Sequence, residues 1–190
     1  MFAVVTDGNI TSFPNGNKGI TIGDNQYPAA IYTLWTEAER NAIGIYTVEI
    51  NNTNKKDEEW YINTDITYAF GSGKVTGTYS TATAKAIADV LFTQADEDNG
   101  LGTKDELNYR GLKYIKNKMI DNQCAGILAM DSGWKTWRAN VRTKCNSMQT
   151  QITNAANVDA LAALFVYVNT ADEGDPKVYA RPLGEWPVKS

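Results

Sequence analysis

Gly71-Ser72-Gly73-Lys74 is the stretch of the chain most suggestive of phosphate chemistry. A glycine-rich turn can aim backbone amides at an anion while a lysine neutralises it. A complete phosphate loop also needs an earlier glycine and a hydroxyl residue after the lysine, but here Val75 follows. That loop joins a strand to a helix, whereas the flanking alternation predicts a turn between two strands. Nucleotide binding is therefore not expected.

The oxygen-rich run Asp96, Asp98 and Asn99 would suit a hard cation. Counted from Asp96 in the calcium-loop register, the glycine position falls on Leu101 and the bidentate glutamate position on Leu107, so no metal site is assigned. Glu37, Glu39, Asp57, Glu58 and Glu59 offer carboxylates for glycoside hydrolysis. Helix capping and solvated loops account for all five, and no pair stands out. The chain has no histidine, the commonest general base and metal ligand. Its two cysteines, Cys124 and Cys145, lack a C-x-x-C spacing and are expected to be reduced, buried thiols. These readings assign no catalytic, cofactor-binding or metal-binding residue, and no enzyme is expected.

Aromatic and basic side chains remain as candidates for recognition. Trp134, Trp137, Val141, Cys145, Met148 and Ile152 recur at steps of three and four, the seam of a helix that packs on another. Arg138 and Arg142, with Lys135 and Lys144, put a basic patch on the same helix, suited to the rim of a protein contact. Trp134, Trp137, Arg138, Val141, Arg142, Met148 and Ile152 thus form the candidate contact or packing seam. Trp186, in a segment without periodicity, is the candidate exposed aromatic.

Composition narrows the partners. With 43% hydrophobic and 21% charged residues the chain is globular in character, and its 190 residues suffice for one domain or two small ones. A formal net charge of -4 argues against tracking nucleic-acid phosphates, which requires clustered cations. No apolar run approaches the ~20 residues needed to span a bilayer, and Met1 to Ile10 has no secretory pattern. Synthesis and folding in a cytoplasm are expected, so the sequons at Asn9 and Asn51 carry no weight.

The elements that must position these residues change character near residue 82. Phe2–Thr6 and Asn9–Phe13 flank Asp7-Gly8, a dipeptide suited to a tight hairpin turn. Thr36 and Glu39 form a capping-box pair that should start a short helix ending at Gly44. A strand is expected over residues 45–50, an alternating strand over 60–70, and a return strand over 74–80. A helix is expected from Thr83 to Phe92, then a break over residues 96–102. Leu112, Ile115, Met119, Gln123 and Ile127 mark a long helix, Trp134–Ile152 a second, and Val158–Val168 a third capped by Asn157. The tail from Asp172 should be extended and should pack through Tyr179 and Trp186.

The expected fold is α+β: an N-terminal antiparallel β meander with a short helix, then a C-terminal helical hairpin or small bundle. The corresponding divisions are a β module over 1–81, a helix and acidic linker over 82–108, and a helical module with its extended tail over 109–190.

The segment Leu34-Trp35-Thr36-Glu37-Ala38-Glu39-Arg40-Asn41-Ala42-Ile43-Gly44-Ile45-Tyr46-Thr47-Val48 resembles a motif near the start of many bacteriophage tail and tail-fibre-associated proteins. There an opening hairpin, here turning at Asp7-Gly8, leads to a short capped helix and a strand beginning Gly-Ile-Tyr. Gly111-Leu112-Lys113, Trp137-Arg138-Ala139-Asn140-Val141-Arg142 and Glu185-Trp186-Pro187 extend the similarity towards the end of the chain. Ala129-Met130-Asp131-Ser132-Gly133 departs from it, standing where the family has Thr-Asp-Trp.

The resemblance implies a structural virion component of the tail, baseplate or tail-fibre connector, located in the virion after synthesis in the bacterial host cytoplasm. Its partners would be other virion proteins and copies of itself, without nucleic acid or membrane insertion. One alternative shares the resemblance, a tail-fibre assembly chaperone absent from the mature particle; the other, suggested by exposed aromatics, is a receptor-recognition module binding host-surface glycan.

Overall fold

The computed structural model describes residues 1–130 and 133–189. Asp131 and Ser132, within the segment that departs from the family motif, and the last residue of the tail lie outside the described residues. The chain forms two compact units, Met1–Thr83 and Ala84–Ser190. The architecture is α+β, with strands concentrated in the first unit and a helical hairpin in the second.

In the first unit, β1 (Phe2–Thr6) and β2 (Asn9–Ser12) form the expected hairpin, with Thr6 opposite Asn9. Asp7 and Gly8 both adopt positive φ, 51° and 78°, as a two-residue turn between twisted strands requires. A smaller hairpin of β3 (Ile20–Ile22) and β4 (Asn25–Tyr27) precedes the one-turn helix α1 (Ile31–Leu34). Helix α2 (Glu37–Ala42) begins at the Thr36 cap. The Thr36 hydroxyl accepts from the Glu39 amide at 3.3 Å while the Glu39 carboxylate accepts from the Thr36 amide at 2.7 Å. Two otherwise orphaned amides are thereby satisfied reciprocally. Gly44 ends this helical segment at φ 82° and places its backbone against the Val5 carbonyl oxygen, which a Cβ would approach to 2.7 Å.

Strands β5 (Ile45–Asn51), β6 (Tyr61–Ile62), β7 (Ile66–Gly71) and β8 (Lys74–Tyr79) follow. The expected continuous strand over 60–70 is interrupted at residues 63–65, and only its later part alternates half-buried with exposed side chains. The main sheet has the order β2-β1-β5-β8-β7. One pairing departs from an antiparallel meander: β5 and β8 run parallel, with Val48 opposite Val75. The reason lies in β8 itself. Val75 is fully buried, and a Cβ at Gly77 would come within 2.7–2.9 Å of Tyr68, Ile50 and Ile66 side-chain atoms. Side chains of both neighbouring strands lie across Gly77, so β8 is an interior strand between β5 and β7, and β7, whose alternate side chains face solvent, takes the edge.

Both faces of β1 and β5 are covered. Ala3, Val48 and Val75 form one core, flanked by Val5, Ile10, Tyr46, Tyr68 and Phe70. Val4 and Ile45 join Ile31 and Tyr32 of α1 in another. The edge strands approach each other, with the Phe13 and Tyr68 rings 4.7 Å apart, so the sheet is strongly curled.

Residues 83–92 are not the expected helix. They contain β9 (Thr83–Ala84) and β10 (Val90–Leu91), and β10 pairs with β11 (Leu107–Tyr109). The helical spacing of Ala86, Val90 and Leu91 is overridden because the Ala86 and Ile87 carbonyls accept the amides of Leu112 and Lys113 at 2.9 and 3.0 Å. The expected break is also partly helical: α3 (Gln94–Asp98) starts at a Thr93–Asp96 capping box.

Helices α4 (Leu112–Ala129) and α5 (Lys135–Asn154) pack as a hairpin. Leu112, Lys116, Ile120 and Cys124 are the buried positions of α4, one every four residues. The aliphatic stem of Lys116 is enclosed and its ammonium sits 5.1 Å from the Phe165 ring centroid. Helix α6 (Val158–Ala163) is shorter than expected. Asn157 caps it by accepting the Ala160 amide at 2.8 Å. Val168 belongs instead to β12 (Val168–Asn169), paired with β13 (Tyr179–Ala180).

Candidate protein-contact surfaces

The carboxylates with displaced acidities are occupied by backbone amides. The Gly111 amide, foremost, and the Arg110 guanidinium hold Asp89 below the usual aspartate range; the two bonds are 2.9 and 2.6 Å long. The Thr36 and Thr93 amides, assisted by those residues' hydroxyls, likewise lower Glu39 and Asp96. These are the roles of caps and clasps, in which a fixed carboxylate completes a turn.

Asp89 has a measurable consequence. Its acidity is raised on folding, so its stabilising contribution is present above the unfolded aspartate pKa of about 3.9 and is lost as pH falls through the lower folded value. Asp89→Asn is therefore expected to flatten the acid limb of the stability profile below about pH 4. Urea unfolding at stepped pH would show it; an unchanged limb would exclude the clasp as a contributor.

Among the described residues no group of three or more His, Cys, Asp or Glu could hold a metal ion, and no helix is long and apolar enough to cross a membrane. A shallow, open depression of about 370 Å³ lies along α5, lined by Asn146, Gln149, Thr150, Thr153 and Asn154. Its lining consists of amides and hydroxyls, without an ionisable group.

The seam read from the sequence divides into two parts. Val141, Met148 and Ile152 are fully buried, and Cys145 is nearly so. They form the internal side of the hairpin and leave no area for another protein. Trp134 and Arg142, by contrast, are exposed. Trp134 stands just before α5, with the Lys189 ammonium 4.7 Å from its ring centroid.

Trp137 and Arg138 are half-buried. The Trp137 indole donates to the Pro187 carbonyl at 3.0 Å, and the Arg138 guanidinium donates to the Leu128 carbonyl. From the same helix, the Lys144 ammonium donates to the Leu183 carbonyl at 2.9 Å.

Trp186 is not the open aromatic expected. It is half-buried, and its indole nitrogen lies 3.3 Å from the Gln123 side-chain oxygen on α4. The tail therefore acts as a strap over the hairpin: Leu183 is fully buried, Trp186 meets α4, and Pro187 meets α5. Gly184, at φ 79°, turns the strap where a Cβ would collide with Lys144. Lysine and tryptophan groups that looked available for a partner are held by the protein's own last residues.

Exposed apolar side chains occur at several places in this unit, among them Leu107 and Tyr109 of β11 and a group around β12 and β13. Val166, Tyr167, Val168, Val178 and Tyr179 lie on or beside the β12–β13 hairpin and are each about half exposed. The register sets Val168 opposite Ala180 and Tyr179 opposite Asn169, so Val168 and Tyr179 lie on opposite faces of the hairpin, while Val178, across from Thr170, shares the face of Val168. Charges border the hairpin: Arg181 lies 5.5 Å from the Tyr167 ring centroid and pairs with Glu185 at 3.2 Å. A hydrogen bond to Glu185, foremost, raises the Tyr167 pKa. These exposures carry no periodic signal in the sequence: Val168 falls within the predicted third helix and Tyr179 within the predicted packing tail.

Compared with protein-family models, curated proteins and solved structures, the chain matches none.

Proposed function

We propose that the chain is a structural component of a phage virion, a tail, baseplate or tail-fibre connector subunit that works through protein–protein contacts. The observation that carries the contact role is the exposure of Val168 and Val178 on one face of the β12–β13 hairpin, with Tyr179 exposed on the other. A binding surface of this kind yields affinity from a few enclosed aromatic and aliphatic side chains surrounded by polar residues. The assignment to a virion rests on the order of sequence motifs, from the capped helix at Thr36 through Gly111-Leu112-Lys113 to Glu185-Trp186-Pro187. Partners would be neighbouring virion proteins and further copies of the chain. A glycan-recognition role through Trp186 is less favoured, because its half-buried indole is already directed at Gln123.

Mass spectrometry of purified particles tests the location: recovery of the chain in stoichiometric amount is expected. Detection in infected-cell lysate but not in particles would instead favour an assembly chaperone. The contact surface is tested by Val168→Asp combined with Val178→Asp. Both side chains are exposed, so circular dichroism should be unchanged, while incorporation should fall by about tenfold or more if the residues anchor a contact. Normal incorporation of the folded double variant would remove the patch from the assignment.

A further inference from the structure

Cys124 and Cys145 are buried on facing helices, close enough that Cys124 contributes to the raised pKa of the Cys145 thiol. The register of the hairpin independently places them together. Asn117 of α4 bonds Thr153 of α5 at 3.3 Å, and Asp121 bonds Gln149 at 2.7 Å. The next turn along the antiparallel pair brings Cys124 beside Cys145. Facing α-carbons of packed helices lie roughly 3.5–5.5 Å apart, given axes about 8–10 Å apart and a backbone radius of about 2.3 Å. Residues one step off that line fall within the ~4.4–6.8 Å range that a disulfide spans.

We propose that Cys124 and Cys145 form a latent crosslink across the α4–α5 hairpin, closed by a low-molecular-weight disulfide and reopened by a thiol reductant. One cysteine, as its thiolate, attacks a sulfur of the small disulfide, forming a mixed disulfide and expelling one small thiolate, which takes up a proton. The other cysteine then loses its proton and attacks the protein sulfur of the mixed disulfide, expelling the second small thiolate. Two protein thiols are oxidised and one small disulfide is reduced to two thiols.

Closure is slow in the native state. Burial, aided by the Cys124 contact, pushes the Cys145 thiol up to about 12, so the attacking thiolate is scarce at neutral pH. It should accelerate whenever the hairpin opens, and once formed the crosslink should resist that opening. The covalent tie restricts the unfolded chain between the helices.

The intact protein, incubated with oxidised glutathione below its thermal midpoint, provides the test. Two thiols should disappear over hours, with the protein lighter by two hydrogens and carrying no glutathione. The thermal midpoint should rise by about 5 °C or more, reversibly on reduction. Cys124→Ala and Cys145→Ala should each abolish the shift and leave a thiol that is either unreacted or glutathionylated. Stable glutathione adducts on the unaltered chain, retention of both thiols, or a lowered midpoint after oxidation would each overturn the proposal.

Discussion

Replacing Gly111 by alanine should lower the stability of the second unit by about 3–4 kcal/mol, through overpacking together with the loss of backbone hydrogen bonds. Gly111 immediately precedes α4 and lies against the peptide at Ala88. A Cβ there would come within 2.1 Å of the Ala88 carbonyl carbon and 2.2 Å of its oxygen. No rotamer change can relieve that overlap, because the obstructing atoms are backbone. Either the 86–89 segment or the start of α4 must move. The bonds at risk are Leu112 to Ala86, Lys113 to Ile87, and the Gly111 amide to Asp89.

Urea unfolding followed by tryptophan fluorescence would report the change, since Trp137 and Trp186 both belong to this unit. A loss below about 1 kcal/mol would mean that the segment yields without cost and that the close approach does not organise the helix start. The comparison with Asp89→Asn is informative. That substitution removes a charge from the same clasp and leaves the backbone approach intact, so the stability it costs should be present at neutral pH and vanish as pH falls through the acid range.

The second large effect is expected at Ile152. It is fully buried near the end of α5, on the side of the helix that also buries Val141, Cys145 and Met148. Ile152→Ala removes buried methyl and methylene groups and leaves a cavity, a change that costs about 2–5 kcal/mol, whereas Ile152→Val should cost about 0.5–1.5 kcal/mol. The graded pair separates packing from any effect of altering the helix end, because alanine is the better helix former. If alanine were as stable as isoleucine, the hairpin could not depend on this internal seam. Trp134→Ala, at the exposed beginning of the same sequence pattern, should be much milder: its side chain is about half exposed.

The contrast between Ile152 and Trp134 also governs the functional reading. A period of three and four residues identifies a stripe along a helix, yet it does not say what covers the stripe. Here α4 covers Val141 to Ile152, and the C-terminal strap occupies Trp137 and Lys144. Apolar side chains that remain exposed in this unit include those of the short β12–β13 hairpin. The proposed contact role consequently rests on residues after α6 rather than on the long-helix seam.

Features governed by neighbours in the chain were legible from the sequence. Asp7-Gly8 permits two successive positive-φ residues, and the Thr36–Glu39 pair reaches across one helical turn; both appear as expected. The long helices were similarly clear because their buried positions recur over several turns, enough for the period to stand above chance. The Asn157 cap depends only on the amide of Ala160, and it too was readable.

What only the tertiary structure decided was the pairing of distant groups. The parallel β5–β8 contact depends on how side chains from two strands cross Gly77, and the 83–92 segment gives its carbonyls to a helix some twenty-five positions later. Trp186 meets Gln123, and Cys124 meets Cys145, through packing that no local spacing encodes. Local hydrogen bonds and periodic burial are written into short stretches of sequence. Long-range partners emerge only when those stretches compete for the same carbonyls, grooves and interior volume.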